Sequence, residues 1–243
     1  MRVGITLPTF ARQAAGALGA ATEAQRLGLH GVFVFDHLWP MGDPSRPSLS
    51  VFPVLGAVAA RTDRIALGTL VARVGLVPDE VVLASLEGLS RIAPGRVIAG
   101  VGTGDKASEP ENERLGIPML SPASRRAGLR AIAEQLQADG VECWVGAGAE
   151  ASNDVARDLN LTLNLWDVPA ETVAAEVARG TTVSWAGPLP AEAGSAAAKL
   201  RELAEAGAGW VVWGWPRSLQ SVVDACRDAG LELEGERRRR LPG

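Results

Sequence analysis

Cysteine, lysine and histidine are each present only twice in this chain, and no hydrophobic run is long. The two cysteines, Cys143 and Cys226, stand far apart, without metal-ligand spacing and without the numbers for a disulfide framework. No metal site is expected. No stretch of about 18 apolar residues occurs, which excludes a membrane-spanning helix. The opening residues Met1-Arg2-Val3-Gly4-Ile5 lack the apolar core of a signal peptide and lead straight into a strand, so the cytoplasm is the expected location. A net charge of −4 offers no surface for nucleic acid. The one basic cluster, Arg237 to Arg240, reads as part of a solvated tail over 236–243. Lys106 and Lys199 are the only lysines, which argues against a phosphate-handling isomerase or aldolase built on a lysine at a strand end. Arginine outnumbers lysine 22 to 2, a bias of GC-rich bacterial genomes more than of mechanism.

What is there is a regular rhythm. The 243 residues, 47% hydrophobic and 21% charged, match the length and make-up of one soluble α/β barrel. Strands are predicted at 3–7, 31–35, 65–72, 96–101, 141–145, 161–165, 182–185 and 209–213. Helices follow at 11–27, 50–61, 79–92, 122–138, 152–159, 170–178, 191–206 and 218–229. Gly28 is placed to end the first helix and Pro78 to start the third. Continuous apolar strands alternating with helices imply a parallel sheet covered by helices. Eight repeats at this length predict a closed (β/α)8 TIM barrel. The rival is an open doubly wound sheet, but Leu7-Pro8-Thr9-Phe10 after the first strand carries no dinucleotide glycines. No composition shift divides the chain, so a single domain over 1–235 is expected.

In such a barrel the chemistry sits where strands run into the following loops. The second strand ends in Phe35-Asp36-His37-Leu38-Trp39. His37 could exchange a proton near neutral pH, or it could be a structural histidine capped by Asp36. Arg73, after the third strand, could meet an anion or a carbonyl oxygen, or lie on the surface. The fourth strand ends in Gly100-Val101-Gly102-Thr103-Gly104-Asp105, where missing side chains would let something flat lie against bare backbone. Asp105 and Ser108 would face the same mouth. The fifth strand ends in Gly146-Ala147-Gly148-Ala149-Glu150 just before a helix, a ready anion site. Together these features suit a planar cofactor carrying a phosphate.

At these residues the sequence resembles the luciferase-like monooxygenase superfamily, most nearly the branch that uses the deazaflavin coenzyme F420. The resemblance covers most of residues 1–235. It rests on Asp36-His37, on Leu67-Gly68-Thr69 with Val71, on Gly95-Arg96 running into Gly100 to Gly104, and on Glu109 with Gly116-Ile117-Pro118. It implies a barrel with the cofactor ring at the carboxyl face. His37 falls at a proton-transfer histidine and Asp105 at its acidic partner, a glutamate in the family. Leu70-Val71 falls where a non-prolyl cis peptide often backs the ring. Gly146 to Ala149 match the loop of the first phosphate, and Ser108 a ribityl-contacting asparagine. The chain departs from the pattern by lacking a long insertion between the fourth and fifth strands. Where an Arg-His pair often precedes Pro78, it reads Gly75-Leu76-Val77.

The resemblance implies an oxidoreductase that passes hydride between a bound cofactor and a small organic substrate. His37 and Asp105 would be catalytic. Asp36, Thr69, Leu70, Val71, Gly102, Thr103, Gly104, Ser108 and Gly146 to Ala149 would hold the cofactor. Trp39 and Arg73 would face the substrate. The cofactor would be coenzyme F420, with flavin mononucleotide (FMN) as the alternative and monooxygenation as its chemistry. A third reading is a barrel that binds flavin without turning it over. Relatives are often dimers, so a homodimer is allowed.

Overall fold

In the computed structural model, residues 1–234 are described except Met41, Ala191 and Arg217. The basic tail expected at 236–243 lies outside the described residues. The strands are β1 (Arg2–Thr6), β2 (Gly31–Val34), β3 (Ala66–Thr69), β4 (Ala72–Arg73), β5 (Val97–Gly102), β6 (Glu142–Gly146), β7 (Thr162–Trp166), β8 (Val183–Gly187) and β9 (Trp210–Trp213). Every pairing between them is parallel, and β1 joins β9 on one side and β2 on the other. The ring closes because β3 and β4 both pair with β5, Leu67 opposite Val97 and Ala72 opposite Val101. β3 and β4 are thus one barrel strand in two pieces, and the barrel has eight staves. The third strand, expected to run unbroken over 65–72, is interrupted at Leu70-Val71, whose peptide bond is cis.

Helices α1 (Ala15–Arg26), α2 (Val51–Ala59), α3 (Asp79–Ile92), α4 (Glu109–Leu115), α5 (Pro122–Ala138), α6 (Glu150–Asp158), α7 (Ala170–Ala178), α8 (Ala193–Glu205) and α9 (Leu219–Asp228) connect and follow the strands. Helix α3 shows why such segments form. Asp79 and Glu80 sit in its first turn, where carboxylates favour the helix dipole. Val82, Leu86 and Leu89 are buried on one face. Gly28 closes α1 at φ 85°, as a left-handed C-terminal residue does. Helix α4 is an addition to the eight expected. Pro110 stands in its first turn, Glu109 and Glu111 are acidic residues of that turn, and Gly116 caps it in the left-handed region. Among the described residues no helix is long and apolar enough to cross a membrane.

The strand alternation sorts side chains into two cores. Val211 and Trp213 of β9 pack outward with the helices, while Trp210 and Val212 join Phe33, Ile98, Trp144 and Ala186 in a separate inner cluster. Phe33 stacks on Trp144 at 5.2 Å and meets Trp210 edge-on at 5.8 Å. Glycines on neighbouring strands make room for these rings. A Cβ on Gly4 or Gly31 would stand 3.0 Å from the Phe33 ring, and one on Gly68 would stand 2.9 Å from it. The lower barrel is therefore a packed plug, and any ligand must sit above it.

Candidate active site

Above the aromatic plug, the break in the third strand meets the glycines of β5. Thr69 Oγ1 donates to the Gly100 carbonyl at 2.5 Å. A Cβ on Gly100 would collide with the Thr69 carbonyl oxygen, and one on Gly102 would lie 2.6 Å from Cγ2 of Val71. A Cβ on Gly146 would lie 3.0 Å from the same methyl. The glycines are thus not bare backbone awaiting a flat ligand, as the sequence suggested. Their missing side chains admit the Thr69–Val71 bulge, and half-buried Val71 is what the strand ends present. Leu70, Val71, Gly102 and Gly146 come together at this floor. Thr69 is buried beneath it.

On one side of the floor stands an aromatic wall. Trp166, at the end of β7, is half exposed and meets Phe35 edge-on at 5.6 Å. Phe35 in turn stacks on Phe10 at 6.0 Å. Trp39 lies half-buried in the loop beyond His37. Neither Phe10 nor Trp166 stood out in sequence, because a lone aromatic at a strand end does not show which loop it will face.

Beside it, with Phe35 6.5 Å from the His37 ring, lies a set of charges in which Glu111 and Arg73 are buried. Asp36 Oδ2 accepts the Arg73 backbone N–H at 2.9 Å, which ties the end of β2 to β4. Burial pushes the Asp36 carboxyl up from its ordinary pKa, against the opposing pull of that hydrogen bond. His37 Nδ1 lies 3.0 Å from Oε1 of Glu111, and Arg73 Nη2 lies 2.5 Å from its Oε2. Glu111 is 1% exposed. Burial alone would raise its pKa, but the His37 hydrogen bond and the Arg73 charge outweigh this and hold it below the ordinary carboxylate range. An ionised carboxylate can only accept, so Nδ1 carries the proton in this pair and Nε2 is the nitrogen left for a substrate.

Glu111 was not among the residues singled out from sequence. Asp105 held that place, but its side chain caps the short 3₁₀ turn Lys106–Ser108, accepting from Ser108 N–H at 3.2 Å and Ser108 Oγ–H at 3.3 Å. Asp105 is exposed and Ser108 is buried. The carboxylate on His37 is supplied by α4 instead. A signal did exist: an arginine in a buried strand needs a buried counter-charge. Spacing alone could not choose among Glu109, Glu111 and Glu113. Thr103 and Gly104 turn their carbonyls to Arg125 Nη1, at 2.5 and 3.0 Å.

The turn before α6 is already partly furnished. Ala147 N–H donates to the Asn164 carbonyl at 2.8 Å, and Gly148 N–H to Asn153 Oδ1 at 3.0 Å. Ala149 precedes the helix in extended conformation. Glu150, whose charge opposes an anion there, is paired with Arg157 at 2.8 Å and Arg179 at 3.6 Å.

Comparison with known proteins agrees with this architecture. Residues 1–230 match the family model of the luciferase-like monooxygenases. An F420-dependent glucose-6-phosphate dehydrogenase of Beutenbergia cavernae is 36% identical over 124 residues, 51% of this chain and 35% of that protein. One of Nakamurella multipartita is 31% identical over 154 residues, 63% of this chain and 43% of that protein. The matched segments thus span less than half the length of these relatives. Two solved structures share the fold at 13% identity. An F420-dependent secondary alcohol dehydrogenase in complex with an F420-acetone adduct has a TM-score of 0.74, over 94% of this chain and 97% of that one. A coenzyme F420-dependent tetrahydromethanopterin reductase from Methanopyrus kandleri has a TM-score of 0.71, over 93% of this chain and 97% of that one. With the match running almost the whole length of the barrel, the chain belongs to the luciferase-like monooxygenase family.

Proposed function

We propose that this chain is an F420-dependent oxidoreductase that moves a hydride between the deazaflavin and a small organic substrate, in the cytoplasm. The observation that carries the proposal is half-buried His37 held on the buried Glu111–Arg73 pair beside the Val71 floor. A barrel that merely stored a flavin would need no oriented imidazole at its mouth. The names of the relatives and of the fold neighbours favour F420 over FMN.

The residues fit the group. Val71, Gly102 and Gly146 form a floor without bulky side chains, and Phe35 and Trp166 give an aromatic wall for a flat ring. The backbone from Gly146 to Ala149, leading into α6, would hold the phosphate. Thr103, Gly104 and Ser108 would line the path between. When bound, the cofactor supplies a hydride acceptor, or a donor in its reduced form. The protein supplies the proton partner. Neutral His37 takes the hydroxyl proton of an alcohol at Nε2 as that alcohol becomes a carbonyl, and returns it in the reverse direction. Glu111 fixes the imidazole by its bond at Nδ1, and Arg73 keeps Glu111 ionised. Asp36 ties the end of β2, which leads into His37, to Arg73 on β4.

The test is direct. The protein is titrated separately with F420 and with FMN, following ring fluorescence. Saturable F420 binding is expected, and binding of neither would end the proposal. Binding of FMN alone would transfer the site to flavin chemistry, with oxygen as co-substrate. With F420 bound, His37→Ala is expected to slow hydride transfer about 10²–10⁴-fold, the span of general acid–base catalysis, with cofactor affinity retained. Unchanged turnover would remove His37 from the mechanism.

A further inference from the structure

Arg73 carries more hydrogen-bond donors than the protein uses. The residue is 4% exposed. Its Nη2 pairs with Glu111, but Nε and Nη1 are buried and have no hydrogen-bond partner among the described residues. A guanidinium offers five N–H groups in a fixed fork. Native proteins rarely leave such donors empty. They border a narrow cleft between the loop after β4, the end of β5 and helix α4. Thr103, Ser108, Asn112 and Arg125 line it together with apolar Val74, Leu76, Met119 and Leu120. Asn112 is only 6% exposed, so a second buried polar side chain borders the same space. The charges facing it are unbalanced. Arg73 and Arg125 both face the cleft, while Glu111 is already shared with His37 and Asp105 is turned to Ser108 at the surface.

We infer that this cleft receives an oxyanion, a carboxylate or phosphate group of the substrate, held by the free edge of Arg73 with Asn112 beside it. The assignment to the substrate rests on the function proposed above; the oxyanion site itself does not. One carboxylate, Glu111, separates the guanidinium from the imidazole. A substrate that engaged both would have to carry its acidic group across the span of that carboxylate from the hydroxyl carbon, not on an adjacent carbon. The free space in the cleft is about 10 Å³, enough for one ordered water. An oxyanion enters by displacing Leu120, which is 45% exposed and lies in the coil between α4 and α5.

The experiment uses the whole chain without cofactor. Thermal shift and calorimetry are run with acetate and with inorganic phosphate, separately, against chloride at equal ionic strength. A saturable rise in Tm is expected with one of them, and which one tells carboxylate from phosphate. Arg73→Lys keeps the charge but loses the fork, and Asn112→Asp adds a repelling charge without touching the Arg73–Glu111 pair. Each should weaken anion binding by at least about tenfold, the factor that goes with one charge-assisted hydrogen bond. Asn112→Asp decides the matter if Arg73→Lys fails to fold. No saturable rise in the unaltered chain, full binding in Asn112→Asp, or a soaked crystal with only a water at Arg73 would overturn the site. Competition between the anion and F420 would assign the oxyanion to the cofactor and overturn the substrate class. An anion that binds to a chain unable to bind F420 sinks the proposed function and leaves the oxyanion site standing.

Discussion

Glu111→Gln keeps the side-chain volume and removes one charge from the middle of the buried set. Arg73, 4% exposed, is then left without its carboxylate, and the acceptor on His37 loses its charge. Breaking a buried ion pair by deleting one partner typically costs about 3–5 kcal/mol, because the remaining charge stays desolvated. For a chain of this size that corresponds to a fall in Tm of roughly 6–20 °C. Urea unfolding followed by tryptophan fluorescence reads the change, with the slope m expected to stay constant. The pH dependence gives a second check. The folded-state pKa of Glu111 lies below its ordinary value, so its contribution is complete above the ordinary carboxylate range and is lost as pH falls through the depressed value. The gap between the unaltered chain and Glu111→Gln should be flat near neutrality and should close in acid. The double change Arg73→Met with Glu111→Leu should be less damaging than the two single changes added together. A loss under about 1 kcal/mol for Glu111→Gln, at unchanged m, would place the pair with ordinary surface ion pairs and refute the reasoning.

Other predictions concern the floor, a helix and the thiols. Gly102→Ala forces a methyl to 2.6 Å from Val71 Cγ2, and should cost about 1–3 kcal/mol as overpacking while weakening F420 binding in the fluorescence titration. A methyl on Gly148 would meet nothing within 4 Å, so Gly148→Ala should stay within about 0.5 kcal/mol in the same unfolding assay. Gly88 lies within α3 with open space around it, and Gly88→Ala should stabilise the chain by about 0.5–1 kcal/mol in urea. Burial pushes the Cys143 thiol up to about 12, and Cys226 is buried as well. Neither should react with a thiol reagent at neutral pH until urea is added, and rapid labelling of the native chain would contradict the packing of β6 and α9.

The order of strands and helices was legible because it depends on local pattern. A continuous apolar run such as Val97–Val101 must be covered on both faces, and eight such runs with amphipathic spacers leave few arrangements but a closed parallel barrel. Gly28 and Pro78 marked helix ends because their backbone chemistry acts within a few residues. Asp36, His37 and Arg73 could be placed at the mouth by the same logic, since each follows a strand. The break at Leu70-Val71 could be anticipated only through the family resemblance.

The partners of those residues were a different matter. Glu111 lies 74 residues from His37, and nothing in a one-dimensional pattern says which of three glutamates in α4 turns inward. Asp105 is the acid that directly follows the glycines of β5, yet its short side chain satisfies the turn that follows it. The emptiness of Gly100 and Gly102 was visible in the sequence, but its purpose was not, because the atoms that fill the space belong to Thr69 and Val71 on a neighbouring strand. Sequence determined which segments become strands and helices, since hydrogen bonding and burial periodicity are settled among near neighbours. Tertiary structure decided which charges meet and which cavities are filled, since Coulomb attraction and steric exclusion act between whatever the closed barrel brings within a few ångströms.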